Sequence, residues 1–279
     1  MRLSRRRFAG IVLGASAAGS LRGGRELAGP KARYARFEAR GRRGYGVVEG
    51  RAIRALDAAP WAGGKPTDFS APLEEAKLLC PSEPSNVLAM AGNYRSHLGD
   101  TPAPKNPEAF FKGTACLVGH EAPIAIPPGT SDVHYEGELV VVIGRLAKDV
   151  SPAEAASYVF GFTCGNDVSA RDWQENDRQW WRAKGSDSFG PVGPWIAAGI
   201  DADDLRLATR LNGRVVQEAR TSELIFGVPG IVSFLSRHIA LRPGDLIFTG
   251  TPGTTGPMES GDVVEVEIEG VGVLRNRVA

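Results

Sequence analysis

One short segment constrains the fold of this chain more than any other, because two glutamates lead directly into an apolar strand. It runs from His134 to Gly144 and reads His-Tyr-Glu-Gly-Glu-Leu-Val-Val-Val-Ile-Gly. Residues two apart on a β-strand share a face, so Glu136 and Glu138 are expected side by side, roughly 7 Å apart. The residues that follow are apolar on both faces, which predicts a strand buried on both sides. Buried like charges need a cation or a proton to neutralise them, and a divalent metal is the simplest such cation.

The alternative is an ordinary surface strand, and the chain contains one for comparison. The segment from Val263 to Glu269 also alternates glutamates, but its apolar residues occupy only the other face, the pattern of a half-solvated strand. We therefore expect Glu265, Glu267 and Glu269 at the surface. From the first segment alone, metal binding and a surface position are equally open.

A third carboxylate follows the next predicted strand. Residues 151–154, Ser-Pro-Ala-Glu, form a capping box and predict a short helix that ends near Gly161. A strand is expected at 162–164, and Asp167 comes shortly after it. An aspartate at the mouth of a strand is a good third oxygen ligand for a hard cation such as Mg²⁺, which keeps several waters and leaves positions for a chelating substrate.

For several cationic or titratable residues, the sequence allows two interpretations. Arg182 and Lys184 lie among aromatic residues and glycines, where they could contact an anionic ligand or extend from a surface loop. His97 lies in a loop, where an isolated histidine is more often a surface residue than a base. His134 is not expected to contact a metal directly; at most it would contact a residue that binds the metal.

Four motifs in sequence resemble the fumarylacetoacetate hydrolase family, and their order and spacing match from about Val87 to the C-terminus. The motifs are Tyr135-Glu136-x-Glu138-Leu139, Asn166-Asp167-x-Ser169-Ala170-Arg171-Asp172-x-Gln174, Ala183-Lys184-Gly185-Ser186 and Phe248-Thr249-Gly250-Thr251-Pro252. Residues 34–56 also resemble the short β-rich N-terminal region that many members carry. The resemblance implies an α+β, β-rich fold, a mixed β-roll or β-sandwich of the family's type with a small N-terminal β-rich region. It also implies a homodimer.

The resemblance implies a metal site position by position. The ligands of a divalent metal would be Glu136, Glu138 and Asp167, holding Mg²⁺ or alternatively Mn²⁺ or Ca²⁺. Lys184 would be the family's catalytic lysine near the metal. Gln174 would line the same pocket and take part in catalysis.

The remaining implied residues surround the substrate. His97 would lie in the family's lid segment and activate water or move a proton, while Lys112 and Thr251 would contact the substrate. Arg182 could grip a distal carboxylate. The lid departs from the family pattern in one respect, because only Asp100 is available as the acid that commonly follows the histidine.

These residues together predict a metal-dependent hydrolase that cleaves a C–C bond in a small acylpyruvate or 2,4-diketo acid, similar to fumarylpyruvate or fumarylacetoacetate. Such an acid can chelate a metal through its 1-carboxylate and 2-oxo oxygens, which places positive charge where an enolate develops. The unusual lid leaves two alternatives open. One is an isomerase or decarboxylase of the 2-hydroxyhepta-2,4-diene-1,7-dioate type in aromatic catabolism, and the other is a non-catalytic homologue that only binds the ligand.

Composition excludes several other classes of protein. The 35 glycines and 19 prolines lie between short Val- and Ile-rich runs, which favours a β-rich domain over a helical bundle. We find no glycine-rich nucleotide-binding motif. With 33 basic and 32 acidic residues, the chain has no basic stripe for nucleic acid.

The first residues resemble a twin-arginine export signal. Residues 4–8, Ser-Arg-Arg-Arg-Phe, precede a short, mildly apolar stretch with small residues for cleavage. This stretch is too short for stable membrane insertion, so we expect export to the periplasm, or a cytoplasmic protein if the signal is not functional. The alternative is a disordered basic tail. Three separated cysteines, Cys80, Cys116 and Cys164, are expected to be buried free thiols.

The sequence predicts three regions: a signal peptide and linker at 1–31, a small N-terminal β-rich region at 32–80, and a catalytic domain at 81–279. A helix is expected from Thr221 to Arg237, where apolar residues recur at helical spacing, and Asn212-Gly213 predicts a tight hairpin. The strands are expected at 87–91, 139–143, 162–164, 194–200, 205–211, 245–248 and 263–268.

Overall fold

Short strands account for most of the regular structure in the computed structural model, which describes residues 31–279. The strands are β1 (Ala32–Ala39), β2 (Arg42–Glu49), β3 (Ala52–Leu56), β4 (Pro66–Pro72), β5 (Lys77–Leu78), β6 (Val87–Ala91), β7 (Glu108–Lys112), β8 (Leu117–Val118), β9 (Val133–His134), β10 (Gly137–Ile143), β11 (Val159–Asn166), β12 (Ser169–Ala170), β13 (Gly190–Ala198), β14 (Arg206–Leu211), β15 (Arg214–Arg220), β16 (Leu246–Phe248), β17 (Val263–Ile268) and β18 (Gly272–Arg277). The α-helices are α1 (Arg95–Leu98), α2 (Arg171–Asn176), α3 (Trp181–Gly185) and α4 (Val228–His238). The 3₁₀-helices are Pro60–Ala62, Leu73–Glu75, Thr114–Cys116, Ala155–Tyr158 and Thr221–Glu223.

A mixed sheet of 12 strands forms the centre of the structure. Ten of them follow the path β4-β3-β2-β1-β13-β11-β10-β16-β6-β7, while β5 pairs with β1 and β8 pairs with β13. Every residue of β10 is buried, as its apolar sequence predicted. β10 pairs antiparallel with β11 on one side and with β16 on the other, and β16 continues in parallel with β6. This arrangement confirms the α+β, β-rich fold and places the strand that carries Glu138 in the middle of the sheet.

The N-terminal strands extend the same sheet. β1 pairs with β13, with Tyr34 opposite Ile196, and β2, β3 and β4 follow as an antiparallel meander. Within this extension, Ala35 and Phe37 of β1 and Ile53 of β3 are fully buried. The boundary placed at residue 80 stays a prediction, and the expected export signal lies outside the described residues except for Lys31.

A second sheet of four strands, β15-β14-β17-β18, packs beside the first. In β17 the valines at 264 and 266 are buried, while the side chains of Glu265 and Glu267 are 27% and 37% exposed, and Glu269 is exposed. The surface reading of these glutamates is therefore confirmed. The hairpin between β14 and β15 is also confirmed, because Asn212 and Gly213 both have positive φ, 52° and 78°, as a type I′ turn requires.

Two helix predictions were too long. The capping box at 151–154 is followed only by the 3₁₀-helix Ala155–Tyr158, because β11 begins at Val159 and its pairing with β10 takes the residues that a longer helix would need. Similarly, α4 begins at Val228, since Pro229 fits only the first turn of a helix. The three cysteines are buried and free, as expected. Among the described helices, none is both long and apolar enough to cross a bilayer.

Packing between β10, β11 and β16 predicts a large effect of adding one methyl group at Gly165. A Cβ atom there would lie 2.4 Å from a methyl of Val140 and 2.6 Å from the ring of Phe248, both buried. Gly165→Ala should therefore lower the free energy of unfolding by about 1–3 kcal/mol, measured by urea denaturation. Gly44→Ala is the matched control in β2, where nothing lies within 4 Å of the added atom, and it should change stability little. Equal effects of the two variants would contradict this packing.

Candidate metal centre

Three carboxylates converge where β10 and β11 meet. Glu136 immediately precedes β10, Glu138 is its second residue, and Asp167 immediately follows β11. The register places Gly137 opposite Asn166, and the Asp167 N–H donates to the Glu136 carbonyl at 2.8 Å. One oxygen from each carboxylate lies within 4.8 Å of one from each of the others, and the three residues are 4%, 1% and 1% exposed.

Cations neutralise two of the three carboxylates. The Lys184 ammonium donates to Glu136 at 2.7 Å and to Asp167 at 2.8 Å. Lys112 donates to the other oxygen of Asp167 at 2.5 Å, and Arg171 donates to Glu136. Glu138 accepts a hydrogen bond of 2.6 Å from the Gly250 N–H and forms no ion pair with a described residue.

The pKa values follow this distribution of charge. Burial alone would raise the pKa of Glu136, but the Lys184 and Arg171 cations hold it at about 2. Burial, together with the negative charges of Asp167 and Glu136, raises the pKa of Glu138 well above its ordinary value. Burial would lower the pKa of Lys184, but the carboxylates of Asp167 and Glu136 raise it instead. Glu138 is thus the carboxylate whose charge the protein itself does not compensate.

The donor set fits a hard divalent cation. It consists of three carboxylate oxygens, the type of ligand that Mg²⁺, Mn²⁺ and Ca²⁺ prefer, close enough to share one ion. A bound cation would also supply the positive charge that Glu138 lacks. We conclude that Glu136, Glu138 and Asp167 could hold a divalent metal.

A cavity of about 380 Å³ opens at this cluster. Its wall includes Glu136 and, among the residues predicted from sequence, His97, Gln174, Lys184 and Thr251. Of the three carboxylates, Glu136 reaches the lining, so one side of the cluster forms part of the floor of a space large enough for a small organic acid.

The hydrogen bonds of three of these residues show how each is held. His97, in α1, has Nδ1 2.6 Å from the carbonyl oxygen of Gly253. The Gln174 side-chain oxygen accepts from Arg171 at 2.6 Å. The Thr251 hydroxyl donates to the Gly137 carbonyl at 3.0 Å, which fixes its turn against the start of β10.

Two predicted substrate-binding residues lie outside the cavity lining. Lys112 is buried, and its ammonium is engaged by Asp167 and the Lys184 carbonyl. Arg182 forms a two-pronged ion pair with Asp177, at 2.6 and 2.8 Å, and its guanidinium lies 4.6 Å from the centre of the Trp173 ring. Their contact with substrate stays a prediction, and a different rotamer of Arg182 would be needed for it.

Arg171 is the site residue that sequence reasoning passed over. It lies in the second family motif, four residues after Asp167, which was the signal available. Besides Glu136 and Gln174, its guanidinium donates to the Thr255 hydroxyl at 2.8 Å. The Thr255 hydroxyl also lies 2.8 Å from His134, so His134 is separated from Glu136 by two side chains, behind the ligands as expected.

Removing the uncompensated charge tests the cluster directly. Glu138→Gln should weaken Mg²⁺ binding by about 100-fold or more, because one ligand is lost, and should stabilise the metal-free protein, because a buried repulsion is lost. Calorimetric titration and thermal unfolding with and without Mg²⁺ measure both effects. The matched control is Glu265→Gln, on the exposed face of β17. If Glu138→Gln bound Mg²⁺ like the wild type, Glu138 would not be a ligand.

The raised pKa of Glu138 also predicts how stability depends on pH. The native metal-free protein keeps a proton on Glu138 at pH values where the unfolded chain, with a pKa near 4.5, has released it. The free energy of unfolding should therefore fall as the pH rises from about 4.5 through the native pKa. Glu138→Gln should abolish this fall, and saturating Mg²⁺ should oppose it. Parallel pH profiles of urea unfolding for wild type and variant would contradict the assignment.

Comparisons with known proteins identify the family of this chain. A sequence model described as "Fumarylacetoacetate (FAA) hydrolase C-terminal" matches residues 86–279, and one described as "Rv2993c-like, N-terminal" matches residues 32–81. Protein Rv2993c of Mycobacterium tuberculosis is 48% identical over 217 residues, 76% of this chain and 82% of that protein. The bovine mitochondrial oxaloacetate tautomerase FAHD2A is 36% identical over 222 residues, 74% and 71% of the two chains.

A solved structure gives the same result. The crystal structure of 2-hydroxyhepta-2,4-diene-1,7-dioate isomerase from Mycobacterium marinum superposes with a TM-score of 0.84 at 43% identity, covering 89% of this chain and 98% of that one. Two of these relatives are named as enzymes, a tautomerase of oxaloacetate and an isomerase of 2-hydroxyhepta-2,4-diene-1,7-dioate. The family match spans more than half of the chain and includes all three metal-site carboxylates. The chain therefore belongs to the fumarylacetoacetate hydrolase family.

Proposed function

We propose that this protein is a divalent-metal-dependent enzyme that acts on a small, anionic 2-oxo acid able to form an enol. The observation that carries the proposal is the convergence of three buried carboxylates at the floor of a cavity whose wall also carries His97 and Lys184. A divalent cation held by Glu136, Glu138 and Asp167 would supply positive charge that stabilises the enolate of such an acid. Mg²⁺ is the proposed ion, with Mn²⁺ or Ca²⁺ as alternatives.

His97 is the proposed proton carrier. The Gly253 carbonyl can only accept a hydrogen bond, so Nδ1 of His97 carries a hydrogen. In the neutral imidazole, Nε2 then keeps its lone pair and can accept a proton. Lys184, held by Glu136 and Asp167, adds a fixed positive charge on the same cavity wall.

The partner of His97 favours proton transfer over hydrolysis. A base that activates water is commonly supported by a carboxylate, which stabilises the imidazolium that forms. Asp100 is exposed, and His97 forms no ion pair with a described carboxylate. We therefore place keto–enol tautomerisation or isomerisation first. The names of two relatives, a tautomerase and an isomerase, support this order.

Hydrolytic C–C cleavage of an acylpyruvate is the second candidate. The observation that favours it is the position of Gln174 in the cavity wall. Because its carbonyl oxygen is engaged by Arg171, its amide N–H₂ is left to hold a water or a substrate oxygen. Export through the twin-arginine-type signal and a homodimeric state accompany the proposal as further predictions.

Product analysis distinguishes the two reactions. The Mg²⁺-loaded protein is incubated with the enol forms of oxaloacetate and of short acylpyruvates, while the enol absorbance is followed and products are identified by mass spectrometry. We expect faster loss of enol absorbance with the carbon skeleton intact. Release of pyruvate and a second acid would instead establish the hydrolase. If the protein bound oxalate but accelerated neither reaction, it would be a non-catalytic ligand-binding protein, and the proposal would be contradicted.

Replacing the proton carrier should separate catalysis from metal binding. His97→Gln should lower kcat by about 10²- to 10⁴-fold and leave Mg²⁺ affinity unchanged, since His97 is not among the converging carboxylates. His238→Gln, at an exposed histidine of α4, is the matched control and should keep wild-type kcat. Full activity of His97→Gln would remove His97 from the mechanism.

A further inference from the structure

The far part of the cavity combines an apolar wall with a single carboxylate. Apolar side chains of Met90, Leu98, Phe110 and Trp180 contribute to this wall. Glu108, on the edge strand β7, also lines the cavity and is exposed at its mouth. It has no hydrogen-bond or ion-pair partner among the described residues, so its charge is available to a ligand.

Strand geometry explains why Glu108 faces the cavity. Side chains alternate along a strand, so Glu108, Phe110 and Lys112 share one face of β7. On that face, Lys112 reaches Asp167 at 2.5 Å, and the ring of Phe110 lies 5.4 Å from the Lys184 ammonium. The side chain of Glu108 therefore points to the same side of the sheet as the metal cluster.

The register of the sheet gives the separation between Glu108 and the cluster. Val140 pairs antiparallel with Phe248, which places Glu138 level with Gly250. Ala89 pairs in parallel with Phe248, which places Ala91 level with Gly250, and Glu108 pairs with Ala91. Three strand spacings thus separate the backbones of Glu138 and Glu108, about 14 Å. Glu108 is too distant to share the metal and is placed to contact the tail of a bound substrate.

No cation balances Glu108 within the described cavity lining at that end. Arg171 and Lys184 line the cavity but are tied to Glu136 at its floor, and His97 is bonded to the turn at Gly253. Arg182, the predicted partner of a distal carboxylate, lies outside the lining. A substrate tail that ended in a carboxylate would meet a like charge there and no counter-ion.

We propose that Glu108 determines substrate specificity by rejecting tails that are long enough to reach it and end in a carboxylate. The substrate is then a 2-oxo acid with an uncharged or cationic tail, such as one that ends in an amide, a hydroxyl or an amine, rather than a long diacid. The apolar wall contacts the body of the tail, and Glu108 accepts a hydrogen bond from its end. The inference rests on the proposed function, because it assumes that the acid group of the substrate is held at the metal.

The test uses two 2,4-dioxo acids of equal length, one ending in a carboxamide and one in a carboxylate. Their dissociation constants from the Mg²⁺-loaded full chain are measured by calorimetry, with kcat/KM where turnover occurs. The wild type should favour the amide by about 10-fold, and rising salt should shrink this ratio because the mouth is exposed. Glu108→Gln should bring the ratio close to one by improving the carboxylate ligand, and Glu108→Lys should reverse it.

The control and the contradicting outcomes are separate from those of the proposed function. Glu175→Gln removes an exposed acid of α2 that lies outside the cavity lining, and it should keep the wild-type ratio. Equal affinities for both ligands in the wild type, or an unchanged ratio in Glu108→Gln, would overturn the specificity role. Oxalate, which has no tail, reports on the metal end alone. If oxalate failed to bind, the proposed function would fail and this inference with it.

Discussion

The antiparallel pairing of β10 with β11 forces three carboxylates into one buried volume, and the rest of the site follows from that constraint. The pairing places Glu136, Glu138 and Asp167 within reach of one another, and the apolar residues of β10 hold the strand inside the sheet. Like charges at this separation repel strongly away from water. The fold can keep them there only if positive charge is supplied from neighbouring elements or from a bound ion, or if one carboxyl group keeps its proton.

The neighbouring elements supply part of that charge. Lys112 comes from β7, Lys184 from α3 and Arg171 from α2, and each forms an ion pair with Glu136 or Asp167. Glu138, with only a backbone donor beside it, is left over. The same ion pairs hold Arg171 and Lys184 beside Glu136 and leave Glu108 without a cation in the described cavity lining. The proposed metal affinity and substrate selection both rest on this one distribution of charge.

Local sequence was sufficient for some of these features. The apolar run at 139–143 predicted the buried strand, the Asn212-Gly213 pair predicted its hairpin, and the motif order predicted the family. Other features depend on contacts between distant residues. Nothing near Lys112 in the sequence specifies that its ammonium is engaged by Asp167, 55 residues away. The helix expected after residue 151 was too long because the competing partner of those residues, β10, lies outside the local window.

Glu108 illustrates the same limit. It belongs to none of the family motifs, and its position in the cavity depends on the pairing of β7 with β6, which brings it level with Ala91. Arg171 shows the opposite case. It lies inside a family motif, but the sequence did not indicate which residues it contacts. Glu108 was missed because its place in the cavity depends on a strand pairing that no local motif encodes.

Anomalous diffraction from crystals of the full chain grown with Mn²⁺ tests the central claim most directly. The account predicts one strong peak within coordination distance of carboxylate oxygens from Glu136, Glu138 and Asp167, and its loss in Glu138→Gln crystals. A fully occupied manganese bound elsewhere, with these three carboxylates still paired only to protein groups, would contradict it.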